Sequence, residues 1–321
     1  MTPPRCLVRG SLNNDEYLHV KNLVRAGETI FSTKYERRAG GKGANQAVAI
    51  AKAGGRVDLL GSVGEDGIWL IQYLQAIGVS TDNVSVVETH TGRAMIQVAD
   101  DGENSIILYP GANFYPLPLP RALDSRYTHL LLQNEVLFSS TQTYLRLSKS
   151  CNPPIISIFN PSPIPSKEQV AQFPWSNLDW LIVNQGEATA LCEILTEESI
   201  LKDTPISEII AKLCDAPAFY PSTNIICTLG AKGVFAHTLH GTIVVPAASL
   251  RGPVIDTTGA GDCFTGFFVA GLMEHSANKV STTLSLPELE SILRTSVEAA
   301  GICVQRRGTI ESIPTRKELT Q

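Results

Sequence analysis

The stretch Asp256-Thr257-Thr258-Gly259-Ala260-Gly261-Asp262 joins unencumbered backbone to two carboxylates, and the apolar spacing over residues 264–272 that follows it is helical. With the extended residues Val254 and Ile255 ahead of it, the stretch is expected to be a strand-to-helix turn. Backbone N–H groups at a helix N-terminus lack intrahelical acceptors and carry partial positive charge, so they favour a phosphate or a developing oxyanion. Asp262 beside them would either take a proton from a hydroxyl nucleophile or do no more than cap the helix. A second glycine turn, Gly40-Gly41-Lys42-Gly43-Ala44-Asn45, opens an alanine-rich helix expected over residues 46–53. Its glycines let a ligand reach the backbone, and the side chains of Lys42 and Asn45 suit a polyol. It is not a Walker A loop, which needs Ser or Thr after Gly-Lys, nor a dinucleotide fingerprint, because Gln46 stands where the third glycine belongs.

Further polar residues gather where strands are expected to end. Asn13-Asn14-Asp15 follows a strand-like segment at residues 6–12 and is either a ligand-facing cluster or a turn. Gln133-Asn134-Glu135, Asn160-Pro161-Ser162-Pro163 and Asn184-Gln185-Gly186-Glu187 follow segments 130–132, 155–159 and 181–183. Several such clusters on one sheet edge point to a cleft. Glu135 reads as an acceptor for a sugar hydroxyl or as a helix-capping acid. Asn184 and Glu187, three apart, would order water around Mg²⁺ or form a capping box.

These groups need elements to hold them. Strands alternate with helices at residues 139–148 and 187–195, which implies a parallel sheet covered by helices. Residues 57–61 give another strand, and Ile68, Leu70, Ile71, Leu74 and Ile77 a core helix stopped by Gly78. Residues 28–38, mixed in polarity, and a hairpin of 94–99 with 105–109 suggest a separate small β layer. Residues 115–120 are proline-rich loop. Strand 224–228, a turn at 229–233, a hairpin of 234–238 with 242–245, and a long helix at 286–303 complete the pattern. No repeat or composition shift divides the chain, so one domain over residues 1–321 is expected.

The 321 residues are 43% hydrophobic with a formal charge of -5, enough for a large core and the wrong sign for a nucleic-acid partner. Seven scattered cysteines, with no C-x-x-C pair, read as reduced thiols. Nowhere do 18 apolar residues run together, so no membrane partner is expected and the cytoplasm is the expected compartment, with the nucleus open if the source is eukaryotic.

Gly40-Gly41-Lys42-Gly43-Ala44-Asn45 and Asp256-Thr257-Thr258-Gly259-Ala260-Gly261-Asp262 together resemble the two signatures of the ribokinase-like (PfkB) sugar kinases. The likeness runs from about Gly10 to Pro314 and takes in Pro110-Gly111-Ala112-Asn113 and residues 228–233. The Gly-Gly-Lys-Gly-Ala-Asn form and Leu132-Gln133-Asn134-Glu135 are similar to the ribose-phosphorylating members rather than to fructokinases or adenosine kinases. The resemblance implies an α/β/α sandwich around a mostly parallel sheet, with a small β lid from about residues 12–40 and 90–112. It implies ATP-dependent phosphorylation of D-ribose at the 5-hydroxyl, a kinase for another furanose or a nucleoside being the alternative. Asn13, Asp15, Gly41, Lys42, Asn45 and Glu135 match ribose-binding positions, and Asp262 matches the general base. Gly259, Ala260 and Gly261 match the anion hole, and Asn184, Thr228, Gly230, Lys232, Gly233 and Gly261 nucleotide contacts. Asn184 with Glu187 matches a motif tied to Mg²⁺. Asp256, Thr258, Cys303, Arg306, Gly308 and Ser312 match the site of an activating monovalent cation, usually K⁺. A homodimer joined through the lid is also implied. The chain departs from the family pattern at Arg9 in the first strand, at Val297, where a polar neighbour of the adenine is expected, and in the loop at 115–120.

Overall fold

The computed structural model describes residues 3–278 and 284–319. The chain passes through β1 (Arg5–Arg9), β2 (Asn13–Val20), β3 (Lys34–Gly40), α1 (Lys42–Lys52), β4 (Arg56–Val63), α2 (Ile68–Ile77) and β5 (Ser80–Val86). A hairpin of β6 (Gly92–Ala99) and β7 (Asn104–Tyr109) follows, then β8 (His129–Gln133), α3 (Phe138–Lys149), β9 (Ile156–Asn160) and α4 (Lys167–Gln172). The remainder is β10 (Trp180–Asn184), α5 (Gln185–Thr196), α6 (Ile206–Asp215), β11 (Asn224–Thr228), β12 (Val234–Thr238), β13 (Gly241–Val245), α7 (Ala260–Asn278), α8 (Leu286–Cys303) and α9 (Arg316–Leu319).

The main sheet has the spatial order β13-β12-β11-β10-β9-β8-β1-β4-β5 and is parallel except for the antiparallel hairpin β12–β13 at one edge. Its strands are apolar on both faces. Cys6 and Val8 enter one core while Leu7 enters the other, and Leu131 is likewise opposed to Leu130 and Leu132. Such strands must be covered twice. Helices α1, α2, α7 and α8 close the first face and α3 to α6 the second. The expected α/β/α sandwich is what the chain forms.

From β1 the chain moves to β4 and β5 on one side, and β8 to β11 lie on the other. The strand order therefore reverses beside β1, and the carboxyl ends of strands at such a reversal are where open α/β sheets receive ligands. A separate four-stranded sheet, β3-β2-β6-β7, stands beside that edge. It contains the expected hairpin and residues 34–40; residues 28–33 carry no strand. Asn13-Asn14-Asp15, open between ligand cluster and turn, begins an eight-residue strand that the sequence reading missed. Its polar residues sit on a sheet that is wet on one side, so no apolar run announces it. The polar strand β5, at the edge of the main sheet, likewise went unread, as did α4 and α6.

Two local differences matter for the site. Residues 254–255 form no strand; the Ile255 N–H donates to the Val304 carbonyl at 2.8 Å, so α7 is entered from a loop. Helix α1 begins at Lys42, inside the glycine turn, rather than at residue 46. Helices α1 and α7 meet at backbone distance: a Cβ on Gly266 would fall 2.3 Å from the Ala49 Cβ and 2.8 Å from the Gln46 carbonyl oxygen. Arg9 is buried at the end of β1 with its Nε donating to the Ser140 Oγ at 3.1 Å, and burial lowers its pKa to about 10. No helix among the described residues is long and apolar enough to cross a membrane.

Candidate active site

Asp262 is the third residue of α7, inside the first turn rather than at the cap, and is 8% exposed. The close α1–α7 contact brings two amides to it. Asn45 Nδ2 donates to Oδ2 at 2.8 Å and Gln46 Nε2 to Oδ1 at 2.8 Å. Gly259, at φ 78°, turns the chain into the helix, where a side chain would be strained. Helical geometry leaves the N–H groups of Gly261 and Asp262 without intrahelical acceptors. A cavity of about 140 Å³ lies here, lined by Lys42, Asn160, Asn184, Glu187, Thr228, Gly259, Gly261 and Asp262 among others.

On the β1–β8 side the polar groups bind one another. Glu135 Oε2 accepts the Ser11 hydroxyl at 2.5 Å and the Lys42 N–H at 3.0 Å. Glu135 thus caps α1, 93 positions away, and not the helix that follows it, and this leaves its part toward a sugar open. Asn13 Oδ1 accepts Asn113 Nδ2 at 2.7 Å, and Asn113 Oδ1 accepts the Leu12 N–H at 2.9 Å. Asn14 turns away to Trp69 Nε1 at 3.0 Å. Asp15 lies against Gly40, where a Cβ would fall 1.9 Å from its Oδ2. Its Oδ1 is buried with no hydrogen-bond partner among the described residues. Burial, reinforced by Glu135 and Asp262, pushes the Asp15 carboxyl up to about 8. For Lys42 burial lowers the pKa, but Asp262, Glu135, Glu187 and Asp15 outweigh it and carry the ammonium above its ordinary value. Asp15, Lys42, Glu135 and Asp262 are thus close enough to act on one another's charge.

On the other side a cavity of about 550 Å³ runs from Asn184, Thr228 and Gly261 to an apolar wall of Leu250, Val254, Phe264, Val297, Ala300 and Val304. Gly230 and Gly233 line it; Lys232 is exposed and lines neither cavity. Val297, singled out as a departure, is part of this wall. Asn184 and Glu187 form a capping box, Glu187 N–H to Asn184 Oδ1 at 2.8 Å and Asn184 N–H to Glu187 Oε2 at 2.9 Å. Glu187 Oε1 takes no hydrogen bond among the described residues, which leaves one carboxylate oxygen for hydrated Mg²⁺.

Behind the α7 turn, the Asp256 carboxylate accepts the N–H groups of Thr258 at 2.9 Å and Gly308 at 3.2 Å. Cys303 Sγ lies 2.9 Å from Ser312 Oγ, which donates to the Thr309 carbonyl at 2.7 Å, and the Arg306 N–H binds the Cys303 carbonyl at 3.0 Å. Residues 256–258 and 303–312 are thereby drawn together, and their carboxylate, carbonyl and hydroxyl oxygens suit a hard monovalent cation.

The sequence reading noticed Gln46 only as a mismatch to another motif, did not single out Ser11, and named Gln133 only within the Leu132–Glu135 stretch. One signal was available for Gln46: an uncharged polar side chain beside Ala44, Ala47 and Val48 on a helix face that must be buried.

The profile of a family described as pfkB family carbohydrate kinase matches residues 4–316. A ribokinase of Haemophilus influenzae is 31% identical over 97% of this chain and 95% of its own length. Among solved structures, a ribokinase from Cryptococcus neoformans var. grubii serotype A in complex with ADP superposes with a TM-score of 0.88 at 47% identity, covering 100% of this chain and 99% of that one. The Arabidopsis thaliana ribokinase complexed with ribose and ATP gives a TM-score of 0.80 at 29% identity over 100% and 98%.

Proposed function

The chain belongs to the pfkB family of carbohydrate kinases and is a sugar kinase; from that premise we propose that it transfers the γ-phosphoryl group of ATP to the 5-hydroxyl of D-ribose, giving D-ribose 5-phosphate and ADP. The observation that carries the reading is Asp262, a buried carboxylate at an open helix N-terminus between a polar wall and an apolar cavity. The ribose, ATP and ADP held by the related ribokinases support the choice of substrates.

Ribose hydroxyls each donate and accept, and the polar wall offers both. Asp15, neutral below about pH 8, donates a hydrogen bond; Glu135 accepts; Asn13, Lys42, Asn45 and the backbone at Gly41 complete the grip. Asp262 takes the proton of the 5-hydroxyl as the phosphoryl group arrives, a contribution of roughly 10²- to 10⁴-fold. The turn Gly259-Ala260-Gly261 forms the anion hole, with the unpaired N–H groups of Gly261 and Asp262 toward the charge on the transferring group while the Ala260 N–H donates to the Thr257 carbonyl, and Lys42, kept cationic, neutralises the charge further. Thr228, Gly230 and Gly233 hold the nucleotide, with Asn184, while the adenine rests on the wall at Val297; Lys232 would reach the phosphates only by swinging in from the surface. Mg²⁺ arriving with ATP would be held through water by Glu187 and Asn184 and supplies charge neutralisation. K⁺ would be held by Asp256 and by the oxygens of Thr258, Cys303, Arg306, Gly308 and Ser312, and its charge would help hold the shape of the α7 turn.

The small sheet closes over the sugar as a lid that excludes water. Its edge strand β7 exposes Ile106, Ile107 and Leu108 at 52%, 57% and 53%, an apolar strand edge that a second copy of the chain would cover. Light scattering should give a dimer mass, and a monomer would remove this part of the reading. The substrate assignment is tested by ADP release with ribose, deoxyribose, fructose and adenosine, with and without K⁺. Ribose should give the highest kcat/KM, K⁺ should raise it, and the phosphorus spectrum should show a 5-phosphate. Preference for fructose or adenosine would instead make the chain a related kinase with another acceptor.

A further inference from the structure

A carboxylate rotates easily about its last bond, so a base that must meet one hydroxyl needs its plane fixed. Asp262 receives one donor on each oxygen, both from adjacent residues of α1. Asn45 is already assigned to the sugar. Gln46 has no such duty: it is fully buried and its amide is committed on every side. Its Nε2 donates to Asp262 Oδ1 at 2.8 Å and to Asn160 Oδ1 at 3.1 Å, and its Oε1 accepts Gln133 Nε2 at 2.6 Å. Asn160 in turn donates to the Ile182 carbonyl at 2.9 Å. An ionised Asp262 can only accept, so the nitrogen of Gln46 must face it; the reversed amide would set oxygen against oxygen. The ends of β8 and β9 thereby fix how α1 presents its amide to α7.

We propose that Gln46, itself oriented by Gln133 and Asn160, is a positioning residue that sets the plane of the Asp262 carboxylate for proton removal. The inference rests on the reading of Asp262 as the base. Gln133 acts at one remove: it fills the space over Gly10, where a Cβ would fall 2.2 Å from its Oε1. Other charged groups acting on this corner are Asp15, Lys42, Glu135 and Glu187, and none of them hydrogen-bonds to Gln46 among the described residues.

The test is Gln46→Met, which keeps length and volume and removes both the donors and the acceptor. In a variant with parental circular dichroism, kcat for ribose should fall about 10- to 100-fold while the ribose Kd by calorimetry stays within about threefold, since misplacement of a reacting group by an ångström costs on the order of 10². Gln133→Met, which loosens Gln46 without touching Asp262, should lower kcat about three- to tenfold with the same unchanged Kd. A folded Gln46→Met with kcat within about twofold of parent overturns the inference, and if that variant does not fold, an unchanged kcat in Gln133→Met does so. Asp262→Asn separates the two readings: where Gln46→Met keeps its kcat, an inactive Asp262→Asn confines the failure to the positioning role, whereas an active Asp262→Asn removes the base and with it the need for a positioning residue.

Discussion

The two walls of the cleft are built on different principles. On the β1–β8 side, side chains from distant parts of the chain bind one another: Asn45 reaches Asp262 across 217 positions, Gln46 across 216, and Ser11 meets Glu135 across 124. On the β11–α8 side the surface is glycine backbone and apolar carbon, from Thr228, Gly230 and Gly233 to Phe264, Val297 and Val304. A sugar with several similar hydroxyls is told from its neighbours only by groups held in place before it binds. A flat base needs little more than an apolar slot and backbone contacts. On the proposed reading specificity belongs to the first wall, and the second can tolerate variation such as Val297.

That contrast is open to attack. The largest effect on one wall alone should come from Gly40→Ala, whose Cβ would sit 1.9 Å from the Asp15 carboxylate and force it out of a packed position. We expect KM for ribose to rise on the order of 100-fold with KM for ATP within about threefold; equal losses for both substrates would mean that the walls are not independent. Val297→Ala removes two methyl groups from the apolar slot. At about 0.8 kcal/mol per fully buried carbon it should raise KM for ATP by up to about 15-fold and leave ribose untouched. A shift in ribose KM instead would place Val297 on the wrong wall.

The smallest effect is on stability. With its carboxyl pushed to about 8 in the folded chain against an ordinary value of 3.8, Asp15 keeps its proton in the folded state between those values while the unfolded chain has lost it. Stability then falls as pH rises through that window and levels off above it. Asp15→Asn removes this burden, so the gain in Tm of the sugar-free protein should be larger at pH 8 than at pH 5. Equal gains would show that Asp15 is not held as a buried acid. The polar wall is thus partly unstable by design, as groups poised for a ligand often are.

How much of this the sequence revealed follows the same division. Glycine turns, alternating buried strands and the Asn184–Glu187 spacing are local, and they placed α1, α7, the sheet and the small β layer. Where local signals conflict with context the reading slipped. Asn13-Asn14-Asp15 has the composition of a turn yet starts β2, because pairing with β3 and β6 decides it. Residues 254–255 are β-branched yet form loop, since only the Val304 carbonyl is on hand to receive the Ile255 N–H. Gln46 was invisible as a functional residue because its partners lie 87, 114 and 216 positions away. The backbone-built wall was legible; the side-chain network was not.

The most direct test of the account is Asp262→Asn, an isosteric change that keeps the shape of the polar wall and removes the base. With saturating ATP and Mg²⁺, kcat for ribose should fall by at least about 10²- to 10⁴-fold while calorimetry still detects ribose binding. A variant that binds ribose and turns over at close to the parental rate would contradict the account.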